Sequence, residues 1–255
     1  VLYYLFRTRI RTIRLTAASL HPSGPLLRAI CSLGVSPFLN QMAMFLVQIT
    51  LNNTLTYYGA LSHYGEDIPL ACVGVISKVN ILMLGFTLGI SQGCQPIFSY
   101  NYGARQYSRV REAYRKAIVA ASVICCIAFV CFQLFPRPIV ALFDPSGSEE
   151  YFQFAERYFR IYMFMTLANA FQPITANFFT SIGKAKRGAL IALTRQVIFL
   201  IPLILIFPLF LGIDGVMYAG PIADSAAVVV ALALVTREMK RMPHVDEPVA
   251  ADTPV

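Results

Sequence analysis

Six long apolar runs, separated by short polar or turn-forming stretches, organise most of this chain. Each run is long enough to cross a hydrocarbon core of about 30 Å as a helix, because an α-helix rises about 1.5 Å per residue. The runs cover residues 28–56, 68–99, 113–135, 152–180, 187–211 and 215–236. The pattern therefore predicts an all-α, polytopic membrane protein built as a bundle of six transmembrane helices.

The connections between the runs carry turn signals. They include HYGED at 63–67, DPSGSEE at 144–150, SIGKAKRG at 181–188 and GIDG at 212–215. Glycine, proline and aspartate break helices and favour turns. Since the GIDG stretch is very short, the last two helices are predicted to form an antiparallel hairpin.

Composition agrees with a lipid environment. Hydrophobic residues make up 57% of the chain, charged residues only 13%, and the mean hydropathy is +0.62. Ordinary soluble domains carry about 25% charged residues. The bilayer is therefore the expected solvent.

The net charge of +8 is concentrated in alternate connections. Lysine and arginine cluster before the first run and after the second, fourth and sixth, whereas the opposite connections hold only Arg137, Arg157 and Arg160. Cytoplasmic loops of membrane proteins carry such an excess of basic residues. This distribution predicts that both termini are cytoplasmic, and it argues against nucleic acid as a partner.

The regions outside the bundle are polar. Residues 1–27 are interpreted as the end of a preceding helix plus a basic cytoplasmic linker, and residues 28–241 as the six-helix lobe. Residues 242–255 contain prolines and few apolar residues, which predicts a disordered cytoplasmic tail.

Polar residues inside the runs share helix faces. On the first helix Pro37, Gln41, Gln48 and Asn52 are spaced 4, 7 and 4 residues apart, which places them on one side. Similar stripes hold Lys78, Gly85, Gly89, Gln92 and Pro96 on the second helix, Asn169, Gln172, Pro173 and Asn177 on the fourth, and Pro221 and Asp224 on the sixth. Either these groups join helices by hydrogen bonds and close backbone approach, or together they line a water-accessible cavity.

The ionisable residues among them leave alternatives open. Lys78 either needs a partner inside the bundle or extends to the interface, and Asp224 is either a functional carboxylate or a helix-pairing one. Arg195, nearer the end of its helix, is interpreted as an interfacial anchor or a tie between helices.

No catalytic or metal-binding motif is found. All six cysteines lie in apolar runs and none is near a histidine, which predicts reduced thiols and no metal site. The three histidines fall in connections or tails, without a hydrolase or phosphate-binding motif. An enzyme is therefore not predicted, and no cofactor is expected.

The stretch GISQGCQPIFSYNYGARQYSRVREAYRKA, residues 89–117, resembles a motif of the MATE (multidrug and toxic compound extrusion) transporters. GVSPFLNQM at 34–42, LANAFQPITANFFTSIGKAKRG at 167–188, RQVIFLIPL at 195–203 and GIDGVMYAGPIAD at 212–224 fit the same family. The family has twelve helices in two six-helix lobes. The basic linker and the polar tail resemble those of the C-terminal lobe, so the chain is interpreted as that half of a transporter.

The resemblance implies export of organic, often cationic compounds by alternating access, coupled to inward flow of Na⁺ or H⁺. It implies a bacterial inner membrane as location, with the lipid bilayer and the N-terminal lobe as partners. The coupling ion is expected in that other lobe, because the corresponding stripes here hold amides and Lys78 instead of acidic residues.

Two sets of residues follow as candidates. The residues expected to line the substrate cavity are Gln41, Gln48, Lys78, Asn169, Gln172 and Asp224. Those expected to bend or gate helices are Pro37, Gly89, Gln92, Gly93, Gln95, Pro96, Pro173 and Pro221. Two other functions stay open: a lipid-linked oligosaccharide flippase of the same superfamily, and a half-size homodimeric membrane scaffold.

Overall fold

The computed structural model describes residues 23–145, 147–243 and 246. The predicted preceding helix, the basic linker and almost all of the predicted tail lie outside these residues. Residues up to Phe38 and residues from Leu39 onward form two separate units, so each is described by itself. Within the first unit, the described chain is helical from Gly24 onward.

Nine α-helices form the described chain, and no strand occurs in it. They are α1 Gly24–Ala60, α2 Asp67–Gly103, α3 Tyr107–Leu134, α4 Pro136–Phe143, α5 Glu149–Tyr162, α6 Ala168–Ser181, α7 Ala185–Leu193, α8 Ile201–Leu211 and α9 Ile213–Arg241. A 3₁₀ segment, Met163–Leu167, joins α5 to α6, and a π-helical segment, Thr194–Leu200, joins α7 to α8.

The prediction of an all-α membrane bundle is confirmed. Four helical stretches of the described chain are long and apolar enough to cross a membrane: Asp67–Gly103, Tyr107–Leu134, Ala185–Leu211 and Ile213–Arg241. The first predicted run is one helix of 37 residues, α1. The fourth predicted run is divided, because the 3₁₀ segment separates α5 from α6.

The last two helices meet in the tight hairpin that the sequence predicts. Gly212 alone separates α8 from α9 and has φ 58°, ψ −139°, a conformation that favours glycine. A Cβ atom at Gly215 would lie 2.5 Å from the carbonyl carbon of Phe207. The two backbones can therefore approach closely only because residue 215 has no side chain.

Aromatic side chains form the core of the second unit. Around α5, Phe154, Tyr158 and Phe159 are almost fully buried against α2 and α9. Nearer the α2–α3 connection, the Phe178 ring of α6 packs against Phe98, with ring centroids 5.3 Å apart, and against Tyr114 at 5.0 Å. Helix α6 thus lies centrally, in contact with α2, α3 and α9.

The outward faces of these helices are apolar. Ile81 and Phe86 on α2, Ile127 on α3 and Phe210 on α8 are all more than 60% exposed. Such apolar surface is expected where hydrocarbon tails, not water, surround a protein.

Several helices are irregular near their centres. Met165 in the 3₁₀ segment has φ −90°, ψ 22°, and the Thr166 hydroxyl donates to the Met163 carbonyl at 2.6 Å. Prolines lie inside α2 at Pro96, α6 at Pro173 and α9 at Pro221. Because proline removes one backbone donor, these positions weaken the helical ladder locally.

Candidate functional site

A cavity of about 140 Å³ lies inside the second unit, between α1, α2, α5, the π-helical segment and α9. Its walls combine apolar side chains with polar side chains, and the polar ones belong to four of these elements. The polar lining residues are Gln48, Ser77, Asn80, Tyr158, Tyr162, Arg195 and Gln196. A polar cavity of this kind in a membrane bundle is a functional-site candidate.

The cavity holds one end of a buried ion pair. Arg195 Nε donates to Asp224 Oδ1 at 2.5 Å, and the two side chains are only 14% and 12% exposed. Arg195 belongs to the π-helical segment, whereas Asp224 lies on α9 one turn after Pro221. The pair joins two helices and leaves this part of the cavity electrically neutral.

Tyr162 stands beside this pair at the end of α5. It lines the cavity and lies close enough to Arg195 and Asp224 to interact with both charges. A Cβ atom at Gly220 would lie 2.8 Å from the Tyr162 ring, so glycine at that position allows the ring to pack against α9. The 3₁₀ segment starts at the next residue, Met163.

Tyr158, one helical turn before Tyr162, also lines the cavity. Its hydroxyl oxygen is buried, and among the residues that the structure describes it has no hydrogen-bond partner. A buried hydroxyl without a partner costs free energy. The Tyr158 hydroxyl is therefore a buried polar group that the described residues leave unsatisfied.

A second polar cluster ties α2 to α6 away from the cavity. Ser91, which is fully buried, donates to the Pro173 carbonyl at 3.2 Å and accepts from Asn177 Nδ2 at 2.6 Å. Tyr114 of α3 and Thr175 share a hydrogen bond of 2.8 Å. These contacts hold the proline-containing part of α6 against its neighbours.

The predicted cavity-lining residues divide into several groups. Gln48 lines the cavity and donates to Asn52 Oδ1 at 2.9 Å. Asp224 does not line the cavity itself but pairs with Arg195, which does. Gln172 instead donates to the Ile191 carbonyl at 3.3 Å, which ties α6 to α7. Gln41 and Lys78 are exposed and do not line this cavity. The Asn169 side chain lies outside the described residues.

The predicted bending residues of α2 face outward. Gly89, Gln92, Gly93 and Pro96 are exposed, and Gln95 is half-buried. A Cβ atom at Gly89 or Gly93 would meet nothing within 4 Å. These glycines are therefore not required by packing inside the described lobe, unlike Gly215 and Gly220. The Pro37 side chain lies outside the description.

The polar cavity residues missed by sequence reasoning are Ser77, Asn80, Tyr158, Tyr162 and Gln196. Tyrosines and amides occur throughout the apolar runs, so their types gave no signal. Arg195 was interpreted from the sequence as an interfacial anchor or a tie between helices, and in the structure it pairs with Asp224 of α9.

A cluster of charged residues closes the end of the bundle formed by the α2–α3 and α6–α7 connections; we name this the basic end. Glu238 of α9, whose side chain is 2% exposed, accepts hydrogen bonds from both Lys184 and Arg187. Arg111 donates to the carbonyls of Met242 and Pro243, each at 2.8 Å. The end of α9 and the residues that follow it are thus fixed to the first turns of α3 and α7 and to Lys184 just before α7.

Asp246 adds a further contact at the basic end. Its carboxylate accepts hydrogen bonds from the backbone N–H and hydroxyl of Ser108, at the start of α3. These bonds hold the pKa of Asp246 below its usual range. Within the described ranges, no group of three or more His, Cys, Asp or Glu residues could hold a metal ion.

Comparison with known proteins decides the family. The MatE family model matches residues 41–206, which contain most of α1 and every helix through the π-helical segment. The chain belongs to the MatE family.

Its relatives include the multidrug export protein MepA of Staphylococcus aureus (strain bovine RF122 / ET3-1). That protein is 22% identical over 237 residues, covering 92% of this chain and 49% of the relative. MepA of Staphylococcus haemolyticus (strain JCSC1435) is also 22% identical, covering 90% and 48%. The chain spans about half the length of the curated relatives it matches.

Solved MatE-type structures show the same fold. An outward-facing multidrug resistance MATE transporter of the MOP superfamily superposes with a TM-score of 0.81 at 21% identity. An inward-facing structure superposes at 0.78, also with 21% identity. Both alignments cover 94% of this MatE chain, and 52% and 54% of the solved chains. The family resemblance is confirmed, and a family of transporters rather than enzymes is established.

Proposed function

We propose that this chain forms the C-terminal six-helix lobe of a multidrug exporter, with both termini cytoplasmic. The exporter moves organic, often cationic compounds across a bacterial inner membrane by alternating access, driven by Na⁺ or H⁺. Relatives named as multidrug export proteins support this function, and the lobe's match to half of their length supports a two-lobe transporter.

The observation that carries the proposal is the buried Arg195–Asp224 pair beside a polar cavity. The three helices that meet there are irregular at this depth, through the 3₁₀ segment, the π-helical segment and Pro221. Helices interrupted near the bilayer midplane are typical of substrate sites in secondary transporters. The irregular segments also provide places where the helices can change their packing.

The cavity forms only part of the substrate site. Its volume of about 140 Å³ is below the roughly 300–1,000 Å³ of sites for drug-sized ligands. Gln41 and Lys78, with the glycine-rich face of α2, point away from this lobe's core and would complete the site against the other lobe. The Tyr158 hydroxyl, for which the described residues provide no partner, and the Tyr162 ring would supply a hydrogen-bonding group and an aromatic surface for a cation.

The charge balance of the cavity favours export of cations over the flippase alternative. A pyrophosphate group would need uncompensated positive charge, but Arg195 is neutralised by Asp224. The same pair leaves no free carboxylate for the coupling ion in the arrangement described. We therefore propose that the coupling ion binds in the other lobe.

The first prediction tests the ion pair in the complete transporter. Asp224→Asn and Arg195→Gln each leave one buried charge uncompensated, so each should lower the free energy of unfolding by about 3–5 kcal/mol. The double variant, which removes both charges, should recover most of that stability. It should nevertheless fail to lower ethidium accumulation in energised cells, because the pair acts in gating.

Ethidium accumulation and thermal unfolding in detergent are measured for each variant. The matched control is Glu149→Gln, which breaks an exposed ion pair with Arg137 and should leave export unchanged. If the double variant is stable and exports ethidium as the wild type does, the Arg195–Asp224 pair has only a structural role. No effect of the wild-type transporter on ethidium would contradict multidrug export itself.

A further inference from the structure

A groove of about 500 Å³ runs along the outer surface between α2 and α3, separate from the cavity described above. The α2 wall consists of Ile90, Cys94, Ile97 and Asn101. The α3 wall consists of Arg109, Glu112, Ala113, Lys116, Ala117 and Ala120. The groove exists because α3 presents alanines where larger side chains would fill the space.

The groove changes character along its length. Helices α2 and α3 are antiparallel neighbours, with Thr87 Oγ1 and Cys125 Sγ 3.8 Å apart. Ile90 and Ala120 therefore form an apolar end, and Asn101 and Arg109 form a polar end next to the α2–α3 connection. The apolar end continues onto exposed Val119, Val123 and Ile127 of α3.

Positive charge surrounds the polar end. Arg109 and Lys116 line the groove, and Arg115 borders the depression beside it. The carboxylate of Glu112 pairs with Lys116 at 2.7 Å, but both side chains are more than 60% exposed. Exposed pairs of this kind contribute little stability, so Lys116 can exchange Glu112 for a stronger anion at small cost.

We propose that this groove binds an anionic phospholipid of the adjacent leaflet. The phosphate lies against Arg109 and Lys116, with Asn101 as a further hydrogen-bond donor. One acyl chain follows Ile97, Cys94 and Ile90 toward the centre of the membrane. This order of charge and apolar surface matches a lipid and not a soluble anion, since a free phosphate would leave the apolar end uncovered.

Lipid binding is measured with the protein in an uncharged detergent, by the fluorescence anisotropy of a labelled phosphatidylglycerol. Unlabelled phosphatidylglycerol, phosphatidylcholine and glycerol phosphate serve as competitors. We expect phosphatidylglycerol to compete strongly, phosphatidylcholine weakly and glycerol phosphate not at all. Equal competition by glycerol phosphate would show a soluble-anion site and overturn the proposal, as would equal competition by phosphatidylcholine.

Two variants locate the site. Arg109→Gln with Lys116→Gln should weaken phosphatidylglycerol binding about tenfold. The matched control, Arg237→Gln with Lys240→Gln, removes two exposed charges of α9 outside the groove and should change binding less than about twofold. Equal losses in both double variants would mean that net charge, not this groove, attracts the lipid.

The apolar end is tested without any change of charge. Ala120→Trp places a large side chain in the groove and should displace the acyl chain, whereas Ala233→Trp on the exposed side of α9 should not. Thermal unfolding without lipid identifies any variant that fails to fold. Unchanged phosphatidylglycerol binding by a folded Ala120→Trp variant would contradict the proposed acyl-chain position.

Discussion

The small residues Ser91 and Gly220 show how much of this lobe depends on single side chains. Ser91 is fully buried, yet its hydroxyl satisfies two groups of α6, the Pro173 carbonyl and the Asn177 amide. Gly220 has no side chain, and only for that reason can the Tyr162 ring pack beside it. Neither role is visible from residue type, because serine and glycine are also common on surfaces and in turns.

The second prediction concerns Ser91. Ser91→Ala leaves the Pro173 carbonyl and the Asn177 amide without their shared partner, so the free energy of unfolding should fall by about 1–3 kcal/mol. Ser99→Ala is the matched control on the same helix, since Ser99 is exposed and bonds only carbonyls of its own helix. That change should stay within about 0.5 kcal/mol. Equal stability of the two variants in thermal unfolding would refute the role of Ser91.

At the scale of elements, irregular segments and helix ends carry the specific arrangement. The 3₁₀ segment begins directly after Tyr162, and the π-helical segment contains Arg195, so both cavity residues lie where a regular α-helix is interrupted. The basic end fixes α9 through Glu238, which pairs with Lys184 of the α6–α7 connection and with Arg187 at the start of α7. Ends that are tied in this way favour motion of the helices as one body.

The third prediction tests the tie at the basic end. Glu238→Gln removes the buried charge that pairs with Lys184 and Arg187. Those two partners remain 34% and 37% exposed. The cost should therefore be about 2 kcal/mol, below that of a fully buried pair.

Asp214→Asn supplies the control at the opposite end of α9. Asp214 pairs with Arg157 on a more exposed surface, so its replacement should cost less than about 1 kcal/mol. Limited proteolysis after α9 should increase for Glu238→Gln alone. If proteolysis and unfolding are the same for both variants, the basic end does not fix α9.

At the scale of the whole molecule, the most telling feature is the outward face of α2. Gly85, Gly89 and Gly93 recur every four residues on that face, and a Cβ atom at any of them would meet nothing within 4 Å. Small residues at this spacing allow close contact between membrane helices. In the two-lobe transporter proposed above, this face would pack against the other lobe.

The fourth prediction separates packing inside the lobe from packing between lobes. Gly89→Leu has room in the described lobe and improves helix propensity by up to about 1 kcal/mol, so thermal unfolding of this chain should not worsen. In the complete transporter the same change should reduce ethidium export, because the added side chain keeps the lobes apart. Ala233→Leu on α9 is the control and should leave export unchanged. Normal export by Gly89→Leu would place the other lobe elsewhere.

The sequence alone determined the membrane environment, the all-helical class and the family, because these follow from properties repeated along the chain. Apolar runs give the long helical stretches approximately but not the short α4 or the interruptions at Met163–Leu167 and Thr194–Leu200, and the motif around Gln92, Pro96 and Gly103 gives the relationship. It also singled out Asp224 as a functional or helix-pairing carboxylate and Arg195 as an interfacial anchor or a tie between helices. It could not show that they pair with each other, since contact between helices depends on their rotation and register.

Only the tertiary structure decided which polar groups meet. Gln172 was expected in the cavity but bonds the Ile191 carbonyl, and Tyr162 was not considered yet stands beside the ion pair. A 3₁₀ or π-helical turn changes the direction of every following side chain, and no local pattern announced either one. The physical reason is that the hydrophobicity of each residue indicates whether it is buried, whereas a site depends on how several helices pack against one another.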